Sequence, residues 1–266
     1  MNGLKLVFKE HKENWQNICS MALNDLKKQY SGTILSYSWA LIKNMIYVFA
    51  YWFTIRIGLK GSASVKYPYM AWLVVGLAAW FFIRDTFVPG AKSIRQNKYL
   101  VTKMIYPVST IPTFKVLSSF ISSLMFFCVV ILILIVSGVK IDVHWIQIVY
   151  YQFAAILLMI GISWFTSALV VISRDIEMLI NSVVFLLFWL TPILYPASNL
   201  SGKLAFVTKL NPFYYIVEGY RASFLYKEWF WERPVLSLYF WIFTCSVLLI
   251  GSFVHGKLRN QFVDVL

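Results

Sequence analysis

The feature that most limits what this chain can fold into is a pair of long uncharged runs separated by five residues. Gln147 to Ile172 contains no Asp, Glu, Lys or Arg, and neither does Met178 to Tyr195. Between them stands Ser173-Arg174-Asp175-Ile176-Glu177. At about 1.5 Å of rise per helical residue, each run matches the reach needed to cross a hydrocarbon core of roughly 30 Å. Two spans joined by so short a charged link make a hairpin with a tight, exposed tip.

Composition agrees. Of 266 residues, 60% are hydrophobic and only 13% are charged, more apolar surface than a soluble domain of this length can hide. The bilayer offers backbone groups no water, so spanning segments must be helices or a closed barrel. The apolar runs are continuous rather than alternating with a period of two, which excludes the barrel. The fold class expected is an all-α integral membrane protein with six transmembrane helices.

The spans are expected at 34–57, 69–88, 114–136, 147–172, 178–195 and 235–254. Residues 1–33 lack the apolar core of a signal peptide. Leu4, Phe8, Trp15, Ile18 and Ala22 recur at helical spacing among lysines and glutamates, the pattern of an amphipathic helix lying at the membrane surface. Gly58 to Pro68 is a link with Lys60 and Lys66. Pro89-Gly90 should end the second span, leaving 91–107 as a basic surface helix and turn. Residues 196–234 are too polar to span and too apolar for a plain loop; Pro196 and Pro212 divide them into two short re-entrant helices. Six spans put both termini on one side, where fourteen of the lysines and arginines fall against nine on the other. The positive-inside rule then makes both termini, and the Arg174-Asp175 tip, cytoplasmic.

The net charge of +13 sits mostly in links between apolar runs. Anionic lipid headgroups explain it most simply, with anionic cargo as a second explanation and no call for nucleic acid. Cys19, Cys128 and Cys245 lie far apart, and the three histidines have no ligand spacing, so neither a disulfide framework nor a metal site is expected. Gly251 to Lys257 imitates a phosphate-binding loop, but Leu258 stands where Ser or Thr must hold Mg²⁺. This chain therefore has no ATPase site of its own and binds no cofactor. Span centres are almost free of Asp and Glu, the groups that proton- or sodium-coupled transporters use. Energy must come from elsewhere.

A family resemblance supplies the source. In order along the chain stand Val7-Phe8-Lys9-Glu10-His11, Ser173-Arg174-Asp175, Thr191-Pro192-Ile193-Leu194, Asn211-Pro212, Tyr220-Arg221-Ala222 and Gln261-Phe262-Val263-Asp264. Together they resemble the membrane permeases of ABC-2 type polysaccharide exporters, most of all the teichoic acid translocation permeases. Such permeases often carry Asn-Pro early in the first span, where this chain has Lys43-Asn44. The resemblance implies a single ABC-2 type transmembrane domain over 1–266 that works as a homodimer. It implies two copies of a cytosolic ABC ATPase subunit, which bind the ATP and Mg²⁺. It implies a lipid-linked anionic polymer as cargo, and the bacterial cytoplasmic membrane as location. Export of O-antigen or capsule is the alternative within the family, and a scaffold or channel without an ATPase is the alternative outside it.

The same resemblance places ATPase contact at Arg174, Asp175 and Glu177 and at Arg95, Lys98 and Lys103. Aromatic side chains that stack on sugars could line the path: Trp39, Tyr47, Tyr51, Trp52, Trp80, Phe81 and Phe82 are the candidates, although belt and packing roles explain most of them equally well. Arg84, with Lys92, Arg95 and Lys98, could meet phosphate. Asn211, Pro212, Tyr220 and Arg221 form the motif expected on the outer side.

Overall fold

The computed structural model describes residues 3–32, 35–58, 67–104 and 106–266. The start expected for the first span at Ile34 and the link with Lys60 and Lys66 lie outside the described residues. The chain is helical throughout these segments. In order come α1 (Gly3–Glu13), α2 (Trp15–Tyr30), α3 (Ser38–Phe53), α4 (Tyr69–Gln96), α5 (Lys98–Thr102) and α6 (Thr110–Val136). Then follow α7 (Ile148–Ile172), α8 (Asp175–Leu190), α9 (Gly202–Leu210), α10 (Pro212–Arg221), α11 (Pro234–Leu258) and α12 (Phe262–Val265).

Four stretches among the described residues are long and apolar enough to cross a membrane: Tyr69–Gln96, Thr110–Val136, Val143–Ile172 and Pro234–Gln261. α3 and α8 have 16 residues each; α3 continues through one wider helical turn, Thr54–Gly58. α4 is the centre of the bundle. Of its most apolar window 83% is buried, against 17% for α6 and 22% for α11, which turn most of their side chains outward. A helix apolar on every side is buried by its neighbours, and α4 is surrounded by α3, α6, α7, α8 and α10.

α4 does not stop at Pro89. Proline has no N–H to give to the carbonyl four residues back, and that carbonyl, Asp85 O, accepts instead from Ser119 Oγ of α6 at 2.9 Å. The neighbouring helix thus repairs the missing bond and α4 runs on to Gln96. The region expected as a separate surface helix is therefore the last two turns of α4 followed by α5. α8 likewise ends at Leu190 and not at Tyr195, because Pro192 cannot continue it.

The N-terminal amphipathic segment is two helices, turned at Asn14. Its stripe is divided in a way the periodicity does not show. Ile18, Ala22, Leu26 and Tyr30 of α2 pack on the bundle, whereas Phe8 and Trp15 stay outside, 69% and 55% exposed. Specific polar contacts dock the segment on protein. Lys115 Nζ holds both carboxylate oxygens of Asp25 at 2.9 Å. His11 donates one ring nitrogen to Val7 O and meets Thr113 Oγ1 with the other, both at 2.7 Å, with its edge on Trp164. Burial lowers the His11 pKa, keeping the ring neutral. Glu10 takes Ser109 Oγ at 2.5 Å and Arg259 Nη1 at 2.9 Å, so the two ends of the chain meet on one face.

α7 and α11 pack backbone against backbone at Gly161 and Gly251. A Cβ on Gly251 would fall 2.5 Å from Gly161 O, so glycine is what lets the backbones touch. Gly251→Val is expected to force α11 away from α7 and cost about 1–3 kcal/mol. A fall of the thermal unfolding midpoint in detergent, larger than that of Gly58→Val where nothing lies within 4 Å, checks it.

Candidate functional site

The functional geometry is a frame of two helices, α4 and α8, fastened at both ends. At the face that carries the termini, Glu177 in the first turn of α8 receives Lys92 Nζ at 2.8 Å and Arg95 Nη1 at 3.8 Å, both from the last turns of α4. Its carboxyl is held below the ordinary glutamate value, chiefly by the Lys92 hydrogen bond. A depressed carboxyl contributes above its unfolded pKa and loses that contribution as pH falls through the folded one. This fastening is therefore complete at neutral pH. The groups are about one-third exposed, so the pair is worth roughly 0–1 kcal/mol and serves position more than stability.

At the opposite face the fastening is buried. Arg221, at the end of α10, is 0% exposed. Its Nη1 donates to Pro192 O and Glu218 Oε1, each at 2.7 Å, and its Nη2 donates to Ile193 O at 2.8 Å. The guanidinium lies 3.5 Å over the Trp72 ring of α4. Gly76 leaves the room, since a Cβ there would come 2.5 Å from Arg221 Nη2. One cation thus joins α10, the outgoing end of α8 and the start of α4. Asn211 adds a second tie: its Nδ2 donates to Thr191 Oγ1 at 2.8 Å while its Oδ1 caps α10 by accepting from Phe213 N at 3.0 Å. Pro212 takes the first helical position, and Tyr220 donates its hydroxyl to Gln152 of α7. Arg221 was expected among the charges of the outer surface; it is an internal fastener, held by two backbone carbonyls and one carboxylate inside the bundle, while its Nε–H is buried without a partner among the described residues.

The remaining candidates divide. Arg174 and Asp175 are exposed and form no ion pair or side-chain hydrogen bond with any described residue. Lys98 and Lys103 on and after α5 are exposed too, with Lys103 Nζ 6.0 Å from the Tyr99 ring centre. Of the expected ATPase-contact residues, Arg95 pairs with Glu177. Trp80, Phe81 and Phe82 are buried in the bundle within one copy of the chain. Tyr51 lies against Phe188, Trp52 against Phe49, and Trp39 is exposed.

Arg84 is already occupied. It bonds Asp85 at 2.9 Å and Asn44 Oδ1 at 3.4 Å, and lies 4.8 Å over the Tyr47 ring and 4.9 Å over Phe81. Lys43 completes the group through Asp85 at 3.2 Å. Lys43-Asn44 thus binds α3 to α4 with polar side chains. Sequence reasoning missed Trp72, Gly76 and Glu218 as partners of Arg221. Glu218 three residues before Arg221 on a helix was the available signal.

Comparison with known proteins decides the family. The model of the ABC-2 type transporter family matches residues 16–225. The chain belongs to that family. As an ABC-2 permease it is a membrane-spanning subunit that works with a partner ATPase. It is 25% identical over 244 residues to a Klebsiella pneumoniae protein named O-antigen export system permease, across 91% of this chain and 92% of the relative. It is 22% identical over 256 residues to the Myxococcus xanthus protein of the same name, across 93% and 94%.

Removing the buried cation should show which fastening carries stability. Arg221→Ala leaves Glu218 without its partner and should cost about 3–5 kcal/mol. Glu177→Gln should cost under about 1 kcal/mol. Urea- or heat-induced unfolding of the purified permease ranks the two, and near-equal losses would contradict the frame.

Proposed function

We propose that this chain is the membrane subunit of an exporter that moves a lipid-linked anionic polysaccharide outward across the bacterial cytoplasmic membrane, with wall teichoic acid as the cargo. Two copies pair with two ATPase subunits, which bind ATP and Mg²⁺. α3 and α8, with 16 residues each, are the two shortest of the six spans this reading needs, and both termini lie on the cytoplasmic side, where the sequence has its basic excess.

The observation that carries this reading is the frame fastened at both ends. The tip between α7 and α8 presents Arg174 and Asp175 without an ion-pair partner among the described residues, while Glu177 beside them is tied to α4. An ATPase that grips the tip moves α8, and α4 follows. At the other end, Arg221 holds the turn after α8, so a displacement of α8 reaches the short helices α9 and α10. An ATP-driven motion at one face thereby opens or closes the segment at the other. Export of O-antigen is the second reading, favoured by the names of the relatives. The two differ only in cargo.

Depletion of the protein, followed by chemical analysis of surface polymers, tests both: loss of teichoic acid supports the first, loss of another glycan the second, and no loss overturns export. Coupling has its own test. Arg174→Glu should lower export at least about tenfold at unchanged abundance in the membrane, with the ATPase subunit recovered poorly on co-purification. Full export by that variant would refute the tip's role.

A further inference from the structure

At the face opposite the termini, a cavity of about 860 Å³ opens between α9, α10 and the start of α11. That is the size of an ordinary small-ligand site. Its lining is unusual for a protein this apolar, because three polar groups converge on it with capacity left over. Glu218 is 7% exposed; Oε1 is used by Arg221, but Oε2 accepts from no described residue. Tyr214 is 6% exposed, and its hydroxyl has no hydrogen-bond partner among the described residues. Burial and the nearby Glu218 raise its phenol above the ordinary value, so it keeps its proton at neutral pH. Tyr226 receives Trp72 Nε1 at 2.8 Å, which leaves its own proton to give.

We infer that this cavity is an outer subsite for one sugar unit of the exported polymer, an inference that rests on the export reading above. A sugar hydroxyl both donates and accepts. Glu218 Oε2 can take the donated hydrogen, and the phenols of Tyr214 and Tyr226 can supply hydrogens to ring and hydroxyl oxygens. The Tyr rings give the apolar faces that C–H surfaces of a pyranose pack against. A free phosphate is disfavoured at depth, where it would meet the Glu218 carboxyl. An acidic link between sugar units suits the rim, where exposed Lys209 stands and Arg233 is held by Glu228. Because Glu218 also holds Arg221, occupancy of the cavity would bear directly on the fastening that joins α10 to α8 and α4.

The test uses the full chain in nanodiscs, with Cys19, Cys128 and Cys245 replaced by Ala and with Ser198→Cys at the cavity wall as a reporter. The readout is the rate of labelling by a membrane-impermeant maleimide. Probes are maltotriose, mild-acid fragments of the cell's own surface glycans, and phosphatidylglycerol. Glycan fragments are expected to slow labelling at least threefold. Tyr214→Phe, which keeps the ring and removes only the hydroxyl, should raise the half-protecting concentration about three- to tenfold, the worth of one hydrogen bond. Ala197→Trp, which narrows the cavity, should abolish protection. Protection by no sugar, protection by phosphatidylglycerol alone, or no effect of Tyr214→Phe would each overturn the subsite. Labelling needs neither ATPase nor transport, so this failure is separable from that of the export reading, which falls only if depletion leaves every surface polymer in place.

Discussion

The structure depends on a guanidinium sealed inside the end of the bundle opposite the termini. Arg221 replaces water with four fixed partners: two backbone carbonyls, one carboxylate and the face of Trp72. A cation this deep is tolerable only when paired and hydrogen-bonded, and its partners come from three segments: the turn after α8, α10 itself and α4. The turn at Pro192-Ile193 could not hold its carbonyls in an apolar setting without those donors, and the C-terminal end of α8 would not be defined. Alternatives that pull any one segment away would strand the charge. The cost of breaking it therefore selects a single arrangement of α4, α8 and α10, around which α6, α7 and α11 pack by shape.

Carboxylates follow the same economy. The chain has only 11 Asp and Glu against 24 Lys and Arg. Asp25 ties α2 to α6, Asp85 ties α3 to α4, Glu177 ties α8 to α4, and Glu10 ties α1 to the far end of the chain. In the turn before α7, Asp142 receives Lys227 at 2.6 Å and His144 at 2.5 Å; the Lys227 hydrogen bond, first among its causes, depresses its pKa strongly. These four acidic residues are fasteners between helices, and the cations outnumber all the carboxylates of the chain.

Much of the helical order is legible in the sequence, because uncharged runs of spanning length have one physical solution. α7 from Ile148 to Ile172 and the short helices on either side of Asn211-Pro212 emerge from run length and proline alone. What stays hidden depends on neighbours. Pro89 reads as a stop until Ser119, thirty residues on, supplies the bond proline withholds. The stripe of α1 and α2 reads as a membrane-facing surface until Lys115 and Thr113 claim Asp25 and His11. Arg84 reads as a free cation for phosphate until Asp85 and Asn44 are seen beside it. The exposed tip at Arg174-Asp175 is the opposite case. Its side chains form no ion pair or hydrogen bond with a described residue, and its exposure follows from the local sequence.

The meeting of Glu10 with Arg259 has a consequence for how the molecule is made. The two residues are 249 positions apart, so the carboxylate near the start is exposed to the membrane machinery long before its partner is synthesised. α1 can settle fully only when α11 has been threaded and its last turn has emerged. The chain's beginning thus waits for its end, and a polypeptide cut short before Arg259 leaves Glu10 with the Ser109 hydroxyl and without its cation.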